Sequence, residues 1–205
     1  MRHNLDTILS QGSKLKILRL LYLQKGEHTG RAIARGIAMS PSVVLGTLRE
    51  LQEEGLVSAK TAGKAHLYGI IEENHFVKKL LGPLFEGEKN IIGDVISAIN
   101  RGISEGKAEI VSMALFGSVV RAEEKPGSDI DLLVVTHTSK GKARIEELME
   151  TADSLIMKQF RTTLSPYIKT KAEFKKAYRS KKPVIMSILG NHRLIFGEPL
   201  ERILA

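Results

Sequence analysis

The chain contains no cysteine, which excludes a disulfide framework and any thiolate metal site and agrees with a reducing compartment. No apolar run approaches the ~18 residues needed to span a bilayer. The start, MRHNLDTILSQGSKLK, is too polar for a secretory signal, so a cytoplasmic protein without membrane contact is expected. Internal repeats and low-complexity segments are lacking. Acidic residues are in deficit, 23 against 31 Lys and Arg, for a formal net charge of +8. Such a surplus suits a polyanionic partner such as nucleic acid or nucleotide phosphates, but it equally suits a well-solvated surface. The first 75 residues carry ten Lys/Arg against seven acids and the remainder 21 against 16, so neither part is a basic tail. The 205 residues, 42% hydrophobic and 26% charged, are those of a globular protein with one large domain or two small ones.

Three helical patterns and a hairpin fill the first seventy residues. Ser13 is a candidate N-cap ahead of Leu15, Ile17, Leu18, Leu21 and Tyr22, giving a helix that ends near Gly26. A second helix, roughly residues 28–38, has Ile33, Ala34 and Ile37 on one side and Arg31 and Arg35 on another. Ser40 then caps a third helix with Pro41 in its first turn and Val43, Val44, Leu48 and Leu51 as its apolar stripe. From Leu56 to Ile71 the period changes, and two strands are expected around a loop at Thr61-Ala62-Gly63.

Residues 73–106 return to a helical pattern broken at Gly82-Pro83. Phe76, Val77, Leu80, Leu84 and Phe85, then Ile91, Ile92, Val95, Ile96 and Ile99, are too apolar for a solvated linker. They pack either into an intramolecular core or across a dimer seam. From Glu109 an α/β order follows: strand IVSMALFGS, loop VVRAEEKPG, strand SDIDLLVVT, a helix over about 142–160, strand TTLSPYIKT, further helices and a last strand RLIFG. The expected class is α+β, with an N-terminal helix-and-hairpin domain over 1–72, connecting helices over 73–106, and a C-terminal α/β domain with a small mixed sheet over 107–205.

Helix, helix-turn-helix and β-hairpin, in that order over residues 13–71, resemble the winged helix-turn-helix superfamily in its bacterial and archaeal regulator form. That resemblance implies duplex DNA as partner, with the helix from Ser40 in the major groove and flanking basic groups on phosphates. The DNA-facing candidates are Ser40, Ser42, Thr47 and Arg49 on that helix, Lys60, Thr61, Lys64 and His66 on the wing, and Arg31 and Arg35 on the preceding helix. Glu50, Glu53 and Glu54 make the far end of the helix acidic, and winged helices also serve as protein-contact or dimerisation modules. His28 and His66 have no partners at metal-ligand spacing and read as surface or capping residues.

In ALFGSVVRAEEKPGSDIDLLVV a strand ends in Gly117-Ser118, and a second strand carries Asp129 and Asp131 at i and i+2, hence on one face. Two adjacent carboxylates are costly without a cation between them. Mg²⁺ suits them, being a hard ion that takes one or two carboxylates plus phosphate oxygens. Gly117 lets the backbone approach phosphates, Ser118 can donate to them, and Arg121 can neutralise them. A strand, Gly-Ser, eleven residues from Ser118 to Asp129, and Asp-x-Asp before an apolar strand are similar to the signature of the polymerase-β-like nucleotidyltransferases. The minimal, kanamycin-nucleotidyltransferase-like branch is the nearest, over roughly 107–200. The resemblance implies that Gly117 and Ser118 bind a nucleoside triphosphate while Asp129 and Asp131 bind the metal and serve catalysis.

Active members of that superfamily use a third carboxylate on a neighbouring strand. Here the strand is TTLSPYIKT, which has no acid; Glu173 lies beyond it, where helix capping is the simpler role. Arg179, Lys181 and Lys182 either reach the phosphates or face solvent. Two functions follow. One is a transcriptional regulator that binds DNA, expected as a homodimer on a twofold operator, and uses a catalytically weak domain to bind nucleotide and Mg²⁺. The alternative is an active enzyme moving a nucleoside monophosphate from NTP to a small molecule, a protein or a nucleic acid. Minimal nucleotidyltransferases also often work beside a small helical partner protein.

Overall fold

The computed structural model describes residues 5–121 and 128–205, and its contacts divide the chain into two units that meet within one helix, at Ile91 and Ile92. The first unit runs through α1 (Leu5–Ser10), α2 (Gly12–Gln24), β1 (His28–Thr29), α3 (Gly30–Gly36), α4 (Pro41–Glu53), β2 (Val57–Ala62) and β3 (Ala65–Ile70). A π-helical turn (Val77–Leu81) leads into α5 (Gly82–Gly102), which spans the boundary.

Local sequence explains most of these bounds. Thr29 caps α3 by accepting from the Ala32 N–H, and Ser40 caps α4 by accepting from Val43 N–H at 3.4 Å, with Pro41 at the first turn. Between the two helices the chain turns sharply: Met39 N–H bonds to Ala34 O at 3.0 Å and Ala38 takes a left-handed φ of 53°, the pattern of a Schellman end. Gly30 allows the crossing, because a Cβ there would stand 2.8 Å from Leu45 Cδ2. The hairpin loop is one step later than expected. Ala62 pairs with Ala65, so Gly63 (φ 60°) and Lys64 form a two-residue turn. The sheet has a third strand that periodicity does not mark: β1 is two residues long and pairs antiparallel with β3, His28 opposite Tyr68. α2 begins at Gly12 with Gln11 before it and no side-chain cap, so Ser13 lies inside the helix rather than capping it.

One core fills the first unit, formed by Leu18 and Leu21 of α2, Ile33 of α3, Leu48 and Leu51 of α4, and Leu56. Val77, Leu81 and Phe85 join it, so the front of the connecting segment is core, while Leu80, Leu84 and Ile91 remain about half exposed. On α4 the stripe is rotated from its expected place: Val44, Thr47, Leu48 and Leu51 face inward and Val43 is 46% exposed.

The second unit continues through a 3₁₀ turn (Ser104–Glu109), β4 (Ile110–Phe116), α6 (Ser118–Arg121), β5 (Ile130–Thr136), α7 (Ser139–Phe160), β6 (Leu164–Thr170), α8 (Lys171–Arg179), α9 (Pro183–Gly190), β7 (His192–Gly197) and α10 (Leu200–Leu204). The sheet order is β6-β5-β4-β7, with β4 antiparallel to both neighbours and β5 parallel to β6. The parallel pair needs a crossover, which α7 supplies. Ile130, Leu132 and Val134 pack with Ile145 and Ile156 of α7 on one face of the sheet. Leu133 and Val135 pack with Phe174 of α8, Ile185 of α9 and Leu200 of α10 on the other. Both faces are covered, and β6 and β7 form the two edges of the sheet.

Candidate functional site

Strand alternation decides where the two aspartates go. Ile130 and Leu132 are buried toward α7, so Asp129 and Asp131 lie on the face of Leu133 and Val135. Before Leu133, where the strand enters the sheet, the helices that cover this face give way to solvent: Asp131 is half-buried and Asp129 exposed.

The turn after β4 closes against them. Gly117 has φ 74°, a conformation that favours glycine. A Cβ at this position would also collide with the Asp131 carboxylate, standing 2.9 Å from its Cγ. Gly117 is therefore required twice, by its backbone and by the aspartate lying against it. Ser118 opens α6 directly beyond. Arg121 closes α6, and its side chain lies outside the described residues.

A second segment, reached only through the α7 crossover, completes the rim. Ile130 N–H donates to Thr163 O at 2.8 Å, Thr162 Oγ1 donates to Ser128 O at 2.8 Å, and Thr163 Oγ1 donates to Asp129 Oδ1. Asp153 of α7 holds the start of β6 by accepting from Leu164 N–H at 2.7 Å. Parallel register then sets Ser165 beside Asp131. Thr163 and Ser165 face the pair of aspartates; the missing acid on this strand points to Ser165 or a neighbour, while nothing in the sequence marks Thr163. Ser165 is the residue of the neighbouring strand in register with Asp131.

The oxygens at this rim include the carboxylates of Asp129 and Asp131 and the hydroxyls of Ser118, Thr163 and Ser165. Oxygen donors of this kind suit a hard cation such as Mg²⁺, and they leave room for phosphate oxygens to complete the coordination. The set fits one ion held by Asp129 and Asp131. Among the described residues no group of three or more His, Asp or Glu could hold a metal. His192, opposite Phe116 on β7, is engaged elsewhere: its Nδ1 lies 3.0 Å from Ile188 O and its Nε2 4.0 Å from Glu201. Glu173 forms a capping box with Thr170, accepting from its N–H at 2.9 Å, and pairs with Lys142 at 3.2 Å. The Thr170 backbone bond first, and Lys142 after it, hold the Glu173 carboxyl below its ordinary pKa against the opposing effect of burial.

In the first unit three of the candidate DNA-facing residues, Arg31, Lys64 and His66, line one groove. Thr29, Arg31, Pro41, Leu45, Lys64 and His66 line a cleft of about 550 Å³ between α4 and the wing. Arg31, Arg35, Ser40, Ser42, Arg49, Lys60 and Lys64 are exposed. Thr47 is not. It is 6% exposed and its hydroxyl donates to Val43 O at 3.0 Å, because the rotation of α4 that buries Leu48 and Leu51 buries Thr47 with them. Lys60 is exposed but ion-paired with Glu27 at 2.6 Å, so a phosphate would have to displace a carboxylate. The acids at the end of α4 are engaged as well. Lys14 of α2, 2% exposed, lies 2.6 Å from Glu54 and 3.1 Å from Glu50. Burial lowers the Lys14 pKa, and hydrogen bonds to Glu54 and then Glu50 more than offset it, leaving it raised.

Geometry thus defines two classes of domain in one chain: a helix-turn-helix with a β-wing, and a mixed sheet whose Gly-Ser turn meets an Asp-x-Asp strand. Residues 101–198 match the model of the family described as polymerase beta, nucleotidyltransferase, and the second unit is a nucleotidyltransferase domain of that family. No curated protein matches the chain. Among solved structures the chain is similar to NolR from Sinorhizobium fredii, at 26% identity over 39% of this chain and 76% of that one, with a TM-score of 0.34. It is also similar to a homodimeric winged helix-turn-helix DNA-binding domain from Mycobacterium bovis, at 30% identity over 43% and 73%, with a TM-score of 0.32. A toxin-antitoxin with AMP-PNP is 16% identical over 53% and 80%, with a TM-score of 0.36. No helix among the described residues is long and apolar enough to cross a membrane.

Proposed function

We propose that the protein is a cytoplasmic DNA-binding transcriptional regulator whose nucleotidyltransferase domain binds a nucleoside triphosphate with Mg²⁺ and transfers its nucleotide slowly or not at all. The observation that carries this reading is the register of β6 on β5, in which Ser165 stands beside Asp131. A serine cannot accept the proton of an attacking hydroxyl as a carboxylate does, nor complete a two-metal clamp. Binding needs less: Asp129 and Asp131 would hold one cation, and Gly117 and Ser118 would receive the phosphates. When bound, Mg²⁺ would neutralise and orient the triphosphate.

Calorimetry with each NTP, with and without Mg²⁺, tests the reading. Metal-dependent binding is expected in the natural chain and its loss in Asp129→Asn/Asp131→Asn. Robust transfer of labelled nucleotide by the unmodified protein would overturn the regulator reading and favour an active enzyme; failure to bind any NTP would reduce the domain to a scaffold.

In the first unit, the groove between α4 and the wing would receive duplex DNA, with Arg31 and Lys64 on phosphates and Ser42 and Arg49 toward bases. A homodimer would bring two such grooves to a twofold operator. The exposed apolar residues Leu80, Leu84 and Ile91, 46%, 50% and 46% accessible, are the proposed seam, which light scattering at twice 22.6 kDa would support. A monomer at tens of micromolar would remove it.

A further inference from the structure

Charge in this chain is concentrated in one short segment. Residues 161–193 carry nine Lys and Arg and a single acid, Glu173, a surplus equal to the net +8 of the whole chain. The other 172 residues are balanced. Glu173 is already committed to the Thr170 cap and to Lys142.

Most of the cations of this segment have no carboxylate beside them. In the first unit Lys14, Arg19, Lys25 and Lys60 each meet a carboxylate. Among the described residues, Lys175, Lys176, Arg179, Lys181 and Lys182 meet none. Lys175 and Arg179 are one helical turn apart on α8, where like charges repel. Beyond them the chain closes a tight helix end, with Lys182 N–H on Ala177 O at 3.0 Å and Lys181 N–H on Tyr178 O at 2.8 Å. Lys181 takes the left-handed position of that motif (φ 50°), where glycine is the cheaper residue. Arg161, the C-cap of α7, does the same (φ 57°). The turn thus fixes the backbone from which Arg179, Lys181 and Lys182 project. Tyr178 beside them is 40% exposed, an apolar ring set among cations.

The helices that carry these cations cover the face of the sheet on which the aspartates lie. α8 and α9 pack there through Phe174, Ala177, Ile185 and Ile188. β6 starts beside Asp131 and runs away from it; α8 and α9 bring the chain back, ending at His192, which pairs with Phe116 next to the Gly117 turn. Arg161 precedes Thr163, the residue bonded to Asp129.

We propose that this α8–α9 surface, from Lys175 to Lys182, binds the phosphate backbone of a single-stranded nucleic acid, with Tyr178 offering a ring for base stacking. Clustered cations that meet no carboxylate among the described residues, with an aromatic ring interleaved, are the features by which proteins hold single strands without reading sequence. The site is separate from the wing and does not depend on nucleotide binding.

The test uses the full chain and fluorescence anisotropy with a labelled 20-nucleotide strand, as RNA and as DNA, alongside a labelled duplex. Arg179→Ser/Lys181→Asn/Lys182→Ser keeps a residue tolerant of the left-handed position and should weaken single-strand binding about tenfold or more at low salt. The slope of log K on log salt should become shallower by about 2, since each lost phosphate contact on a single strand removes ~0.7. Duplex binding should hold. The wing variant Arg31→Ala/Lys64→Ala should leave single-strand binding in place. If the triple variant loses its thermal transition, Lys176→Glu on the exposed face of α8 must show the same selective loss. Unchanged affinity in these variants, loss of single-strand binding in the wing variant, or binding to vesicles with 30% phosphatidylserine but to neither strand would each overturn the proposal.

Discussion

The two units differ in where their most telling charges lie. In the first, Lys14 is buried between Glu50 and Glu54 and Lys60 on the wing is held by Glu27, while Arg31 and Lys64 stay exposed. In the second, a basic segment stays unpaired among the described residues, and two carboxylates are brought to one face of a strand beside a glycine turn. Internal pairing fixes structure, here the far end of α4 against α2. Charge left without an internal partner leaves attraction for something outside the chain.

The sharpest way to break the contrast is at Lys14. Lys14→Met would leave Glu54 beside apolar core with one carboxylate oxygen, Oε2, already lacking a partner. Breaking a fully buried pair costs about 3–5 kcal/mol. Glu50 and Glu54 are 53% and 28% exposed, so a loss of about 2–3 kcal/mol is expected in a denaturant titration. A cost under ~0.5 kcal/mol, the range of ordinary surface changes, would show that the pair is incidental.

Next in size is Gly117→Ala, which sets a Cβ against the Asp131 carboxylate and forces a left-handed residue. About 2 kcal/mol of stability should be lost, with Mg²⁺–NTP binding abolished and duplex DNA binding kept. Retained nucleotide affinity would mean that the Gly117 turn is not the phosphate cradle.

Third is the wing. Arg31→Ala/Lys64→Ala in the full chain should make the salt dependence of duplex binding shallower by about 2, at ~0.9 per lost phosphate contact. Lys60→Ala should do less, because its charge is already shared with Glu27. Equal effects of Lys60 and Lys64 would erase that distinction.

The smallest effects come with pH, and the two units should fail on opposite sides. The raised pKa of Lys14 gives a contribution fully present below its ordinary value of 10.5 and lost as pH climbs through the folded value above it. The lowered pKa of Glu173 gives one present above 4.5 and lost as pH falls through the folded value below it. Glu173→Ala should cost about 0.5–1 kcal/mol as a lost cap and flatten the acid limb alone; Lys14→Met should flatten the alkaline limb alone. Melting curves across pH check both.

How much could be read before the fold depended on range. Gly117, Asp129 and Asp131 stood out because their spacing carries the chemistry within one strand–turn–strand unit. The cap at Ser40, with Pro41 behind it, and the capping role of Glu173 were equally local. Thr163 was invisible, since its bond to Asp129 exists only once β6 lies parallel to β5. The short strand at His28–Thr29 was read as helix, because two residues show no period and its pairing with β3 is tertiary. Thr47 and Val43 exchanged places: an apolar count on α4 gives a stripe but fixes its angle only to about one residue. The partner of Lys14, forty positions away, could not be seen at all.

What the sequence determined by itself is therefore the set of elements, their order, and the chemistry that adjacent residues carry: a helix-turn-helix with a hairpin, a Gly-Ser turn, and two carboxylates at a spacing of two. Caps, turns and strand alternation act within a few residues, so they are written in the local order of side chains. Only the tertiary structure decided that Ser165 stands beside Asp131, that Thr163 bonds Asp129, that Thr47 faces the core, and that α8 and α9 pack on the aspartates' face. Those facts follow from strand register and from how helices rotate to bury apolar area against one another, and both are settled by contacts between residues far apart in the chain.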